Sequence, residues 1–354
     1  MRNLSAPRRP TIKEVARLAR VSFKTVARVA NNEAGVRDET RQTVLKTMDQ
    51  LGYRPNISAR QLRSSRSFLI ALATGAASDI STTANAMYLA KAQPGAVRRC
   101  NEVGYHLIVE EVAPSAERES VKRLEHLRVG GVIVLPPLSL NSRFVEALKS
   151  KHLRYVLIGS DKYDGTAPVI SIDDRKGAYE MVKLLIKLGH RKIGFISGNK
   201  VLASQQRQFG FLDALKDAGL PRRADYEAVG DFNFRVSEAC AKKLLTLPDR
   251  PTAIFACNDE MALGVIVAAA RVGISVPDDL SVAGFDDALF STIVWPQLTT
   301  IRQPLAAMTA KAVDLLVDDD LFKTAPEVVL DFAVVKRSST ARPPATPRPA
   351  VKSR

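Results

Sequence analysis

Residues Thr11 to Arg63 read TIKEVARLARVSFKTVARVANNEAGVRDETRQTVLKTMDQLGYRPNISARQLR, and this stretch decides the architecture. Thr11-Ile12-Lys13-Glu14 is a capping box, a threonine with a glutamate three residues later just ahead of an apolar run. Ile12, Val15, Ala16 and Ala19 then share one helical face. The turn Arg20-Val21-Ser22 ends in a good N-cap, Ser22, and a second helix runs through Val26 and Val29 to Asn31. Two short helices joined so tightly, with Phe23, Lys24 and Arg28 on the outer side of the second, form a helix-turn-helix. Such a motif lays its second helix in the DNA major groove. A third helix spans Asp38 to Leu51, with Val44, Leu45 and Met48 facing inward and Gly52 as its stop. Asn56 can cap a further short helix, Ile57–Arg63.

The charge distribution agrees with a nucleic-acid reader. The chain has 354 residues and a net charge of +15, but the charge is uneven. Residues 1–66 hold 15 Lys/Arg against 5 Asp/Glu, and residues 336–354 hold 6 basic residues and no acidic ones, which leaves 67–335 near neutrality. A basic head on a neutral body is the electrostatic footprint of a DNA-binding protein with a separate second function. On the base edges, Lys24 and Arg28 can donate to guanine O6 and N7, and the Phe23 ring can pack on a thymine methyl. Ser22 and Thr25 are suited to phosphate, which sets register without reading sequence. Asn31, at the helix end, completes the DNA-facing set.

From Phe68 onward, apolar runs alternate with helical stretches: Phe68–Ala73, His106–Glu110, Gly131–Leu135, Tyr155–Gly159, Val169–Ile172, Lys192–Ser197, Ala253–Ala256 and Ser281–Gly284. Near-continuous apolar strands spaced by helices predict parallel sheets covered on both faces, and about 270 residues suit two such lobes. No GxGxxG follows a first strand and no GxxxxGK[ST] occurs, so dinucleotide and P-loop nucleotide binding are not supported. Cys100, Cys240 and Cys257 lack metal-ligand spacing. His106, His126, His152 and His190 lack it too and read as surface or helix-end histidines. No metal or cofactor is expected. The pair Asp173-Asp174 reads as a turn before a helix Gly177–Leu188, with no nucleophile or metal set nearby. No run approaches a membrane span. The start, MRNLSAPRRP, lacks the apolar core of a secretory signal, which predicts a cytoplasmic protein, at the nucleoid when on DNA.

At the residues just quoted the chain resembles the lactose-repressor family of bacterial transcription regulators. TIKEVARLARVSFKTVARVANN, DETRQTVLKTMDQLGYRPN and ISARQLR carry the resemblance in the head. LGHRKIGFISG, QRQFGFLDALKDAGL, PTAIFACNDEMALGV, ISVPDDLSVAGFDD and WPQLTTIRQP carry it in the body. The resemblance implies an all-α helix-turn-helix head plus an α/β body, two-lobed and like periplasmic sugar-binding proteins, with parallel sheets. It implies that residues 56–63 form a hinge helix, in which Leu62 wedges into the minor groove while Arg60 and Arg63 lie along phosphates; the other reading of Leu62 is an ordinary buried leucine. Two positions depart from the family. Ala27 replaces a phosphate-binding serine and Ala30 a larger aliphatic residue, and both are expected to weaken the head.

In the body the resemblance places effector contacts on Arg207, Phe232, Asn258 and Asp286, at the C-terminal ends of strands, where open α/β sheets bind ligands. The chemistry is apt: forked donors, paired acceptors and an aromatic face for a sugar ring. The other reading of Phe232 is core, with Phe234, and that of Asp259 and Asp287 is helix caps. Thr74–Pro94 departs from the family as a longer polar loop, with Asp79, Ser81 and Tyr88 as possible ligand contacts, and Pro136-Pro137 is a further cleft-edge loop. A helix Leu305–Val317 and a strand around Val328–Val335 follow the crossover Leu298–Gln303.

The domains so expected are a head over 1–66 and a body over 67–340. The first lobe takes about 67–167 and 302–326, the second about 168–300 and 327–340, and 341–354 is a disordered basic tail. No leucine heptads follow Val335, which implies a dimer rather than a tetramer. The expected function is a dimeric repressor of carbohydrate-use genes that binds a pseudo-palindromic operator under control of a small sugar-like effector. The rival readings are a cytoplasmic sugar-binding protein without DNA regulation and a sugar-active enzyme; the basic head speaks against the first and the lack of catalytic groups against the second.

Overall fold

The structure, a computed structural model, describes residues 10–30, 34–53, 67–76, 82–159, 165–199, 201–324 and 326–345, with the side chains of 82–85 excepted. They divide into two compact units between Phe68 and Leu69.

The head contains helices α1 (Ile12–Leu18), α2 (Phe23–Ala30) and α3 (Asp38–Leu51). The capping box forms, with the Glu14 amide donating to Thr11 and the Thr11 amide donating to Glu14 Oε2 at 2.6 Å. Arg20 takes φ 54° to reverse the chain. Val15, Ala16, Ala19, Val26, Val29, Val44, Met48 and Tyr53 make the core, so each helix contributes one apolar stripe. Leu45 departs from expectation. It is 42% exposed, because Val44 and Met48, one turn apart, already fill the inward face and Leu45 falls beside it.

The body is built on two parallel sheets. In the first, β1 (Leu69–Gly75), β2 (His106–Val112), β3 (Gly131–Val134), β4 (Tyr155–Ile158), β5 (Val169–Ser171) and β11 (Glu327–Val329) run in the order β11-β5-β4-β3-β1-β2. The second holds β6 (Ile193–Ser197), β7 (Glu227–Val229), β8 (Ala253–Ala256) and β9 (Ser281–Ala283) in the order β7-β6-β8-β9. A separate antiparallel ribbon pairs β10 (Thr300–Arg302) with β12 (Ala333–Val335). The period of two is visible in the first sheet: Ile70, Leu72, Ile133, Val156 and Ile158 enter one core cluster, and Ala71, Ala73, Val132, Val134 and Leu157 the other.

Several expectations change. Val328–Val335 is two strands in two different sheets, divided at Leu330-Asp331-Phe332. Pairing puts β5 and β11 in the first lobe, so its segments run past 167 to Ser171 and past 326 to Val329. The stretch Thr74–Pro94 is mostly not a loop. β1 ends at Gly75, and helix α4 (Thr82–Glu102) runs straight through Pro94. Alanine, methionine, leucine and lysine favour helix there. The burial of Ala92, Ala96 and Cys100 offsets the roughly 3 kcal/mol a proline costs a helix interior. Gly95 makes that packing possible: a Cβ on it would sit 1.8 Å from the carbonyl oxygen of Ala306, in helix α11 (Leu305–Val317).

Of the expected tail 341–354, residues 346–354 lie outside the described residues, and its first residues are anchored. Ala341 bonds both Ser281 and His190, and Pro343 packs on Gly189. His190 is not a surface residue: it is 1% exposed, with Nδ1 at 2.9 Å from Thr252 and Nε2 at 2.9 Å from Ser281. Burial holds its pKa below the usual histidine range.

Candidate functional site

In the head, Ser22 starts α2 by accepting from the Thr25 amide at 3.1 Å, and the Ser22 and Thr25 hydroxyls meet at 2.9 Å. Val26 and Val29 anchor one side of the helix in the core. The opposite side carries Phe23, 44% exposed, together with exposed Lys24 and Arg28. The expected base readers therefore share the outer side of α2, Phe23 and Lys24 in its first turn and Arg28 in its last. Ala30 packs against the head core. Asn31, Arg60, Leu62 and Arg63 lie outside the described residues, as do Asp79 and Ser81.

In the body, the candidate effector residues gather around one buried arginine. Arg207 lies in α8 (Leu202–Asp217), which begins five residues ahead of it, and is 5% exposed. Its Nε donates to Asp174 at 2.8 Å, and one terminal nitrogen donates to the Cys257 carbonyl at 2.6 Å. The same nitrogen lies 3.7 Å from Asp286 Oδ1, and the guanidinium sits 3.6 Å above the Phe285 ring. Gly210, one turn on, brings the helices together, since a Cβ there would meet the Arg175 carbonyl at 2.0 Å. That contact sets α8 against the first turn of α7 (Asp174–Lys187), where Asp174 sits.

The Asp173-Asp174 pair is thus more than a turn. Asp173 caps α7 by accepting from the Lys176 amide at 2.8 Å, the helix starts at Asp174 rather than Gly177, and Asp174 holds Arg207. Sequence reasoning missed Asp174. Its signal was available, an acidic residue in the first turn of a helix that follows a strand end, but its partner is distant in the chain.

Asp286 adopts φ 112°, a strained value for any residue with a side chain. It is fixed by its amide donating to Ile301 at 2.8 Å and by Gln303 donating to Oδ1 at 2.6 Å. Burial lifts its carboxyl to about 6, although Arg207 and Gln303 pull the other way. Burial also raises Asp174 against the pull of Arg207. Desolvation opposes the charge on Arg207, but Asp174 and Asp286 outweigh it and push its pKa up.

Asn258 is the N-cap of α10 (Asp259–Arg271), accepting from the Met261 amide at 2.9 Å. Asp259 and Asp287 do not cap helices. Asp259, 1% exposed, accepts from the Ala288 amide at 2.6 Å and from Thr300, and burial drives its pKa well up. Asp287 receives Arg302 at 2.7 Å and Arg337 at 2.6 Å. These bonds, with Lys91 nearby, overcome desolvation and hold its carboxyl at about 2.

Asn258 and Asp286 line a cavity of about 20 Å³ with Glu260 and Phe290 of the second lobe and Tyr88 and Lys91 of α4. That is room for about one water, whereas a small-molecule pocket takes hundreds of Å³. The two lobes touch beside this space, where Lys91 Nζ lies 3.3 Å from Asp287 Oδ2. Burial raises the Tyr88 phenol, and Asp286 and Asp174 add to it, so its hydroxyl is a neutral donor. Phe232, half-buried at φ 53°, lies instead against Gly198 at the end of β6 and does not line this cavity.

Known proteins carry the same two parts. The profile of bacterial regulatory proteins of the lacI family matches residues 11–56, and that of the periplasmic binding protein-like domain matches residues 182–340. The probable HTH-type transcriptional repressor ExuR of Bacillus subtilis (strain 168) is 32% identical over 296 residues, covering 83% of this chain and 87% of the repressor. Among solved structures, the lac repressor dimer bound to operator and the anti-inducer ONPF superposes with a TM-score of 0.72 at 27% identity, over 94% of this chain and all of that one. A complex of the transcriptional regulator CelR with cellobiose superposes with a TM-score of 0.70 at 28% identity, over 94% of this chain and all of that one.

Proposed function

The chain belongs to the lacI family of bacterial regulatory proteins and is a DNA-binding transcription regulator; from that premise we propose that it is a cytoplasmic, dimeric repressor of carbohydrate-use genes, without enzymatic activity, whose operator binding is set by a sugar-like effector in the cleft. Phe23, Lys24 and Arg28 read bases, Ser22 and Thr25 position the helix on phosphate, and Asn31 joins the DNA-binding set. Arg60, Leu62 and Arg63 engage the operator centre. Arg207, Asn258 and Asp286 bind hydroxyls of the effector, joined by Tyr88 from the first lobe, and Phe232 offers an aromatic face at the second-lobe edge.

The observation that carries the effector reading is the Arg207–Asp286 pair: a charged donor on α8 and a charged acceptor after β9, 3.7 Å apart, with Asp286 lining the small cavity between the lobes. Such a pair suits a hydroxyl that accepts from one and donates to the other. The lac repressor structure holds operator and an anti-inducer, and the CelR structure holds cellobiose, which supports a sugar over other small molecules. Ligand in the cleft changes lobe closure, and closure changes the affinity of the dimer for DNA, a coupling typically worth ~1–3 kcal/mol.

The test is selection of binding sites from random duplexes by the full chain, followed by thermal-shift screening with mono- and disaccharides. A recovered palindromic motif and a stabilising sugar are expected. Failure to enrich any motif would reject the operator reading, and turnover of the stabilising sugar would reject the non-enzyme reading.

A further inference from the structure

Three cations converge on Asp287, and they come from different parts of the body. Arg302 belongs to β10, and Arg337 follows β12, so both are carried by the two-stranded ribbon. Lys91 belongs to α4 of the first lobe, whereas Asp287 follows β9 of the second. The Lys91 Nζ to Asp287 Oδ2 distance is 3.3 Å, against 2.7 Å for Arg302 and 2.6 Å for Arg337. The lysine contact is thus an ion pair across the cleft.

The three partners are not equivalent. The Asp287 side chain is 6% exposed, and each of its oxygens already has a guanidinium, with Ser291 donating to Oδ1 at 3.0 Å as well. Withdrawing Lys91 leaves Asp287 charged and paired. The Lys91 side chain, 23% exposed, reaches water once released. Neither end is left as a buried lone charge, the condition that makes breaking an ion pair expensive. The contact can therefore open and re-form at the low cost of a partly solvated pair, and salt weakens it. It also stands at the candidate site, since Lys91 lines the same small cavity as Asp286.

We propose that Lys91 is a reversible clamp: its ion pair with Asp287 sets the balance between closed and open lobes. The lysine is a positioning residue for the regulatory response. Asp287 is the fixed post, held by Arg302 and Arg337, and Lys91 is the movable end. The clamp goes beyond the effector reading and does not depend on which ligand enters, so it can be tested with no ligand at all.

The test is a distance measurement between the lobes in the full-length protein. Spin labels are placed at Lys122 and Lys216, both exposed and one on each lobe, in a Cys240→Ser background. Labelled chain is diluted with unlabelled chain so that each dimer carries one labelled copy. Lys91→Met should raise the open population about two- to fivefold at low salt and abolish its dependence on salt between 50 and 500 mM. Lys91→Gln should do the same, and Lys91→Arg should retain the parent's distribution and salt response. A general loss of stability would not remove the salt response selectively. If Lys91→Met and Lys91→Gln keep the parent's distribution and salt response, the clamp is overturned.

Discussion

Arg207 and Asp286 stand 3.7 Å apart, near enough to attract and too far to hydrogen-bond. Each is bonded elsewhere, Arg207 to Asp174 and Asp286 to Gln303. A ligand hydroxyl can bridge the pair without dismantling either bond. Asp286→Ala is expected to weaken effector binding at least ~10-fold, the scale of one hydrogen bond to a charged group, while leaving effector-free operator affinity unchanged. Calorimetric titration with the stabilising sugar checks this, and parent-like affinity would remove Asp286 from the site.

Stability should carry the signature of the Asp286 carboxyl. Its folded pKa of about 6 lies above the ordinary 3.8. Between those values the folded chain keeps a proton that the unfolded chain has released, so stability falls as pH rises through the window and levels off above it. Asp287, held at about 2, acts oppositely and outside the window: its contribution is complete above 3.8 and is lost as pH falls toward 2. Asp286→Asn should therefore gain on the parent by roughly 1–3 kcal/mol between pH 4 and pH 7. Urea unfolding across that range measures it. Parallel curves would contradict the raised pKa.

On the head, Arg28→Ala should weaken operator binding by about 1–3 kcal/mol and relax the preference at one position of each half-site. Thr25→Ala should weaken binding to all sequences alike, because a phosphate contact carries no base information. Competition against single-base operator variants separates the two. An unchanged base preference in Arg28→Ala would remove it from the readers.

Gly95→Ala should destabilise the body by about 1–3 kcal/mol, the usual cost of overpacking. The added methyl meets backbone of α11 rather than a side chain that could turn aside. Thermal unfolding shows the effect, and a midpoint equal to the parent's would mean that the α4–α11 contact is looser than described.

The elements that were legible in the sequence are those fixed by local pattern. The capping box at Thr11, the N-cap at Ser22, α3 from Asp38 to Leu51 and the apolar strands of both sheets all follow from nearest-neighbour chemistry. What escaped reading depends on residues far apart in the chain. Pro94 reads as a breaker until Ala306 is known to pack on Gly95. His190 reads as a helix-end residue until Thr252, Ser281 and Ala341 enclose it. Asp174 reads as turn chemistry until Gly210 brings Arg207 beside it. The site divides the same way: resemblance supplied Arg207, Asn258 and Asp286, whereas Asp174, and Lys91 with its partner Asp287, needed three-dimensional distances.

The most direct test of the account is operator affinity of the full-length protein, read by fluorescence anisotropy on a selected duplex, with and without each stabilising sugar, in the parent and in Asp286→Ala. One sugar is expected to change the parent's dissociation constant by about 5- to 150-fold and to leave that of Asp286→Ala unmoved. Specific operator binding that no sugar alters, or an equal response in both proteins, would contradict it.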